Sequence, residues 1–485
     1  MEWRGMSRIV VITAIVVIIV AIASFYGGMY IGGTSAQRGA VTQILTITTP
    51  VRMTMTQTVI QTLITPPQTP IPQTTPAPTP PPQLPDRILI GMAVPLSGGQ
   101  ADAGKRGFWG VLAAIRWVNE VYGGVKLYGK SIPLELKYYD DESKKENTVA
   151  LTERLITVDR VNFLLSTYSS PLVFAQAPVA EKYKMLLVNW GGAGDEINEQ
   201  GYRYVVTVWT PASMYLWTAL YALKQTDPKV TKIAIMYKDD EFNRAAGLGA
   251  VKKAQELNYT IVYQKVYPTD IKDFTPYITE LAGKGAEALI VSAHYADGQL
   301  LTKQLADLNV NFRFIAINVA PCLQSYYDTL KTLAEGILCP SQWEPTVKYT
   351  PDMARKMNIE WFGPTTDVFM KYFTNVTGDP KILPSYHTGS AAAAVLLLVK
   401  AIETAQSLDP ISVREAFNKL YLMTFFGLFK IDPQTGKQIA HEMVLGQWQA
   451  GKFVVVWPES VAVAKLYYPL PSWDEKRAGK LASYS

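Results

Sequence analysis

Residues 87–124 read RILIGMAVPLSGGQADAGKRGFWGVLAAIRWVNEVYGG, and their pattern sets the reading of everything after them. The apolar run Ile88–Val94 suits a buried strand. A turn follows, Pro95-Leu96-Ser97-Gly98-Gly99, whose two glycines let the backbone bend sharply and come close to a ligand. Phe108, Val111, Leu112, Ile115, Trp117 and Val118 then recur at helical spacing. Strand, Gly-rich turn and helix start together predict an anion site, because the first helical N–H groups are unpaired. The turn also imitates a phosphate loop, Gly99-x-x-x-x-Gly104-Lys105, but Arg106 stands where a magnesium-holding Ser or Thr is required. Nucleotide hydrolysis is not expected.

Composition narrows the classes. The chain has 485 residues, 48% of them apolar, enough for two ordinary domains. A net charge of +5 with interspersed signs gives no nucleic-acid surface. Two cysteines, Cys322 and Cys339, exclude a disulfide scaffold or a cysteine-ligated metal centre. The three histidines, His294, His387 and His441, are far apart, and HExxH, CxxC and GxSxG are absent. No catalytic residue, metal ligand or cofactor is expected.

The N-terminus reads as an address. Arg4 and Arg8 precede residues 9–26, about eighteen mostly aliphatic positions without a charge, long enough to cross a membrane. The arginines favour a cytoplasmic N-terminus, with the remainder outside. Residues 1–31 are thus expected to be a membrane anchor, with cleavage after Ala21-Ile22-Ala23 as the competing outcome. Residues 32–85 are rich in Thr, Pro and Gln and are expected to form an extended stalk.

From Asp86 the chain alternates strand, loop and helix, which predicts parallel sheets covered by helices. One series runs to about residue 207. A second runs through expected strands at 233–237, 260–266, 288–292 and 312–317, with helices at 212–224, 242–257, 273–282 and 295–308. Long helical stretches are expected at 351–377 and 386–405, and short strands at 427–431, 444–448 and 452–457. In doubly wound sheets ligands lie beyond the carboxyl ends of the strands. Those ends carry Ser97, Thr167–Ser170 and Asn189–Ala193 in the first series, and 238–242, His294, Tyr295 and Asn318 in the second. The first set offers hydroxyl and amide donors for a carboxylate; the second offers aromatics and acids.

Ile90-Gly91…Pro95-Leu96-Ser97-Gly98, Glu135…Tyr139-Asp140-Asp141-Glu142, Tyr168-Ser169-Ser170 and Asn189-Trp190-Gly191-Gly192 occur in this order. They are followed by Ala234-Ile235…Asp239-Asp240-Glu241-Phe242 and Gly446-Gln447-Trp448-Gln449…Trp457-Pro458. In this the head resembles the type I periplasmic binding proteins, specifically the substrate-binding component of branched-chain amino-acid and amide ABC transporters. The resemblance implies an α/β fold of two lobes, each a mainly parallel sheet flanked by helices, joined by three hinge crossovers. By the same analogy lobe one is 86–207 plus 340–430, and lobe two is 208–339 plus 431–485. It also implies ligand contacts at Thr167, Tyr168, Ser169, Gly191, Ala193, Phe242 and Tyr295 (or His294), to which the strand-end reading adds Ser97, Asn189, Gly192 and Asn318. The implied partners are a small amino acid or amide, and a permease with its ATPases. Two positions depart from the family: Ala103 stands where an aromatic is usual, with Trp109 able to fill the space, and no carboxylate stands at Asn318-Val319. Asp239, Asp240 or Glu241 could then meet a ligand amine, or the ligand carries none. A sensory ectodomain and a surface hydrolase built on Ser169 are the alternative readings.

Cys322 and Cys339 lie in a stretch expected outside the cell, where disulfides persist, and a bond between them would pin a helix to a crossover. Asn258-Tyr259-Thr260 and Asn375-Val376-Thr377 fit glycan acceptors. Tyr467, Tyr468 and Trp473 are expected to clamp the tail onto lobe two.

Overall fold

The computed structural model describes residues 84–479. The expected membrane anchor, and all but the end of the expected stalk, lie outside the described residues.

Two sheets organise the head. The first is five-stranded and wholly parallel, in the spatial order Leu134–Asp140, Ile88–Val94, Phe163–Leu165, Leu187–Asn189, Val205–Thr207. Its inner strands are buried on both faces, which is why they appear in the sequence as continuous apolar runs. The second has seven strands. Five parallel ones run Thr260–Tyr267, Lys232–Lys238, Ala288–Ser292, Phe314–Ile317, Leu338–Ser341, and the antiparallel pair Val444–Gln449 and Lys452–Trp457 completes the edge. This is the two-lobed α/β architecture that the alternation of elements predicts.

Helix Ala101–Trp117 packs on the long helix Tyr386–Ala405, covering the first sheet. The contact side carries Ala103, Gly107, Gly110 and Ala114, small residues at helical spacing that let the backbones approach. Gly107 is obligatory here: a Cβ would lie 2.0 Å from the Trp190 ring. Helix Tyr386–Ala405 is long and apolar enough to cross a membrane, yet it is mostly buried and serves as a core helix.

Several element boundaries differ from expectation. The expected helix over 351–377 is two helices, Pro351–Lys356 and Thr366–Thr377, separated by the short strand Glu360–Trp361. Asn358 and Gly363, both at positive φ, break the helical path, and the strand pairs with Leu422–Thr424. The expected helix over 212–224 begins as a single 3₁₀ turn and becomes α-helical only at Trp217.

The chain passes between the sheets three times: after Val205–Thr207, after Leu338–Ser341, and between Gly427–Phe429 and Val444–Gln449. These passages are tied together by side chains. The Thr210 N–H donates to Gln342 Oε1 at 3.1 Å and Gln342 Nε2 donates to the Thr210 carbonyl at 3.2 Å. Thr210 Oγ1 donates to the His441 carbonyl at 3.0 Å, and His441 Nε2 bonds the Gln342 carbonyl at 2.7 Å. Burial pushes the His441 imidazole down to about 4, so it is neutral in this junction.

Cys322 and Cys339 are disulfide-bonded, joining the turn after Phe314–Ile317 to strand Leu338–Ser341. At the C-terminal end Trp473 is buried, its indole N–H donating to the Val310 carbonyl at 2.7 Å. Tyr468 donates to Asp227 at 2.8 Å, so the tail is fastened to the second sheet's domain.

Candidate functional site

The turn after the first strand is where the sequence predicts an anion site, and the structure fills it from within the chain. Asp140, at the end of the neighbouring strand, accepts hydrogen bonds from the Leu96 N–H (2.9 Å), the Ser97 N–H (3.3 Å), the Ser97 hydroxyl (2.7 Å) and the Glu142 N–H (2.8 Å). Partial burial pushes this carboxyl up, but those donors outweigh it and hold it below its ordinary value. The close approach that Gly98 permits, at φ +80°, is to Glu142 and Ser143.

The deeper strand ends converge on the other lobe. Tyr168, Ser169, Ser170, Gly191 and Tyr386 of the first lobe, with Trp209 of the first crossover, meet Phe242, His294 and Val319 around a small cavity of about 10 Å³ between the two sheets. Each element delivers its residue for a local reason. Tyr168 and Ser169 follow strand Phe163–Leu165, and Ser169 stands at the N-terminal boundary of helix Ser170–Lys182 without a capping bond from its hydroxyl. Gly191 follows strand Leu187–Asn189 so closely against its neighbour that a Cβ would lie 2.0 Å from the Thr167 carbonyl oxygen. Phe242 opens helix Glu241–Glu256 and His294 caps helix Tyr295–Asp307.

The walls are aromatic. The Tyr168 ring stands edge-on to Trp209 at 6.2 Å and to His387 at 4.9 Å, Tyr386 is tilted against Trp209 at 5.5 Å, and Phe242 stacks on His294 at 5.5 Å. Burial pushes the His387 imidazole well below its ordinary value, so it is a neutral ring beneath Tyr168. The polar groups are sparse and unpaired. Ser169 Oγ and Trp209 Nε1 are buried with no hydrogen-bond partner, and neither His294 ring nitrogen makes a hydrogen bond of good geometry. His294 Nε2 lies 3.4 Å from Asp240 Oδ2. Asp240 also accepts from the Asn243 N–H at 2.9 Å and from the Asn243 amide. Burial pushes the Asp240 carboxyl up, but its interaction with the neighbouring His294 and these hydrogen bonds prevail and hold it well below the usual carboxylate range.

Outside the cavity a wider groove of about 470 Å³ opens between the lobes, carrying Lys145, Lys238, Asp239, Asp240, Glu241 and Arg244. Lys145 of the first lobe reaches Glu241 of the second at 3.5 Å, and Ser325 donates to Asp102 across the same divide at 3.3 Å. The lobes are therefore closed upon one another.

Over residues 87–452 the chain matches the family described as Periplasmic binding protein. The chain belongs to that family. A Leu/Ile/Val-binding protein homologue from Brucella melitensis is 23% identical to this binding protein over 395 residues, covering 79% of this chain and 93% of the relative. In the same fold are two solved proteins. A branched-chain amino-acid transporter substrate-binding protein from Streptococcus pneumoniae, in complex with isoleucine, has a TM-score of 0.63 at 18% identity and covers 77% of this chain and 100% of its own. An ABC-transporter solute-binding protein from Rhodopseudomonas palustris, in complex with p-hydroxybenzoic acid, has a TM-score of 0.65 at 20% identity, with coverages of 80% and 99%.

Of the residues expected at the site of this binding protein, Tyr168, Ser169, Gly191 and Phe242 line the cavity. The others lie elsewhere. Ser97 is engaged with Asp140 in the exposed turn. Thr167 donates its hydroxyl to Asp141, whose carboxyl burial pushes up to about 6. Asn189 bridges Ser166, Thr207 and the Gly192 backbone. Gly192 packs beside Val173 and Ile197, and the Ala193 N–H donates to Ser170. Asn318 accepts from the Ala293 N–H and donates to Ser292. Tyr295 accepts from Gln299, and its neighbour His294 takes the cavity position. Trp209 and Tyr386 were not anticipated: one sits on a crossover and the other begins a helix far along the chain, and neither carries a motif.

Proposed function

We propose that this protein is the extracellular substrate-binding component of an ABC importer. It captures a small solute of the amino-acid or related organic-acid type between its lobes and delivers it unchanged to a membrane permease driven by ATPase subunits. An N-terminal anchor and Thr/Pro stalk keep it beside that permease and raise its effective concentration there. The observation that carries the reading is the aromatic cavity at the lobe junction, with buried polar groups waiting for a partner. Membership of the binding-protein family and the solutes bound by its relatives point the same way.

Closure is the transmitted signal. A solute favours the closed form only by the difference between its affinities for closed and open lobes. Groups contributed by both lobes, Tyr168 and Ser169 on one side and Phe242 and His294 on the other, supply that difference, with Trp209 on the crossover between them. A hydrolase would need a base bonded to Ser169, and although His294 lines the same cavity, no hydrogen bond joins it to the serine hydroxyl.

Titration calorimetry and tryptophan fluorescence with amino acids, amides and small organic acids test the proposal, with recovery of the ligand afterwards. Saturable binding with the ligand recovered intact is the expected result. Conversion of the ligand, or no binding by any compound, overturns it.

A further inference from the structure

We infer that the protein carries a second binding site, on the hinge rather than between the strand ends, that it takes a small quaternary ammonium group, and that filling it is coupled to the opening of the lobes.

A cavity of about 300 Å³ lies where two of the crossovers meet the second sheet's domain. The first crossover supplies Met214, the third supplies Glu442 and Met443, and the rings of Trp217, Tyr221 and Trp457 form the wall. It shares no lining residue with the cavity between Tyr168 and Phe242 or with the outer groove. Small-molecule sites favour such apolar hollows at domain junctions.

Most of its polar groups are already engaged. The Trp217 indole N–H donates to the Gly249 carbonyl at 3.2 Å, and that of Trp457 donates to Gln225 at 3.1 Å. The Thr210 hydroxyl donates to the His441 carbonyl and the Thr218 hydroxyl to the Tyr215 carbonyl. The His441 ring is neutral and bonds the Gln342 carbonyl. What remains for a guest is ring surface, two thioethers, the exposed Ser460 hydroxyl and one carboxylate. That carboxylate, Glu442, is exposed and is the one charged side chain among the described lining residues.

An anion would meet Glu442 with no basic group to offset it. A primary ammonium brings three N–H donors to a wall short of acceptors. A quaternary ammonium has no N–H to satisfy, is drawn to aromatic faces, and is attracted by the carboxylate. The same rings already hold a cation elsewhere: Lys253, which does not line the cavity, sets its ammonium 4.1 Å from the Trp217 ring centre and 5.6 Å from that of Tyr221. Glu256 pairs with that lysine and offsets its charge. Tyr221 and Trp457 stack at 6.2 Å with 17° between their planes, so the wall is set before a guest arrives.

Position gives the site its consequence. Thr210 and His441, which belong to the hydrogen-bonded junction of the crossovers, also line this cavity. When the crossovers turn, Glu442 and Met443 shift against Trp217 and Trp457. The guest's affinity therefore differs between open and closed lobes, and it biases them by that difference.

Calorimetry on the full-length protein compares choline with 3,3-dimethylbutan-1-ol, which has the same shape without the charge. The expected result is saturable choline binding at least tenfold tighter than the alcohol's, weakened at least fivefold in Glu442→Gln and in Trp457→Leu. Glu442 is exposed, so its variant should keep the parent's unfolding midpoint and carries the test if Trp457→Leu fails to fold. Phosphatidylcholine vesicles are a second arm: co-sedimentation that is lost in Glu442→Gln assigns the ammonium to a lipid headgroup, and choline binding without co-sedimentation assigns it to a free ion. Small-angle scattering should show a changed radius of gyration at saturating choline, and binding without that change overturns the coupling to the hinge. Silence from both choline and the vesicles overturns the site itself and leaves the importer reading untouched. So does choline bound no better than the alcohol, or bound indifferently to both substitutions.

Discussion

Gln342 and Thr210 hold each other in a reciprocal amide clasp, each donating to the other at 3.1 and 3.2 Å, at the point where the first two crossovers pass. His441 from the third crossover closes the junction on the Gln342 carbonyl. A hinge built this way is positioned by side chains rather than by a continuous ladder. Gln342→Ala removes two buried hydrogen bonds and leaves the Thr210 backbone groups unpaired, so it should cost about 2 kcal/mol of unfolding free energy. Urea unfolding of the variant checks this, with small-angle scattering expected to show a larger open fraction.

Glu344 follows that junction and is buried, with the Ser341 hydroxyl as its hydrogen-bond donor at 2.8 Å. Burial pushes its carboxyl from 4.5 up to about 8. Between those values the unfolded chain binds fewer protons than the folded one, so this residue's contribution to stability falls as pH rises from 4.5 to 8. Glu344→Gln keeps the shape without the charge. It should stabilise the protein by about 2 kcal/mol at pH 8 and by nothing at pH 4. Thermal unfolding of both proteins across that range is the measurement.

Lys145 and Glu241 face each other across the groove at 3.5 Å, and Lys145 is half exposed. An exposed pair of this kind contributes little, about 0.5 kcal/mol. Reversal in Lys145→Glu should therefore weaken ligand binding only two- to fivefold, by opposing closure. The effect should shrink as salt is raised from 20 to 500 mM, on the order expected from screening. Titrations at both salt concentrations read it directly.

The Cys322–Cys339 bond closes a short loop within the second sheet's domain. By loop-closure entropy its loss should cost about 3 kcal/mol. The double variant Cys322→Ser, Cys339→Ser should fold with a lower unfolding midpoint, and alkylation without reduction should add no mass to the parent protein.

Much of this was legible from local pattern. Strand Ile88–Val94 and helix Tyr386–Ala405 announce themselves because a buried parallel strand is a continuous apolar run and a core helix is apolar all round. The break at Asn358–Gly363 was not legible, since it depends on pairing with strand Leu422–Thr424 over sixty residues away. The site divides in the same way. Tyr168, Ser169, Gly191 and Phe242 stand at strand ends or helix starts, where topology predicts a cleft. Trp209 and Tyr386 arrive there through packing between distant segments, and no periodicity marks them. Asp140 escaped notice as the occupant of the first turn because a carboxylate looks the same in sequence whether it waits for a partner or already has one.

The covalent brace between Cys322 and Cys339 has both its feet on one side of the hinge. It stiffens a single jaw and spans no moving gap. An oxidising or reducing environment would therefore govern how long the protein survives, while leaving the swing of the two halves, and with it the rhythm of uptake, untouched.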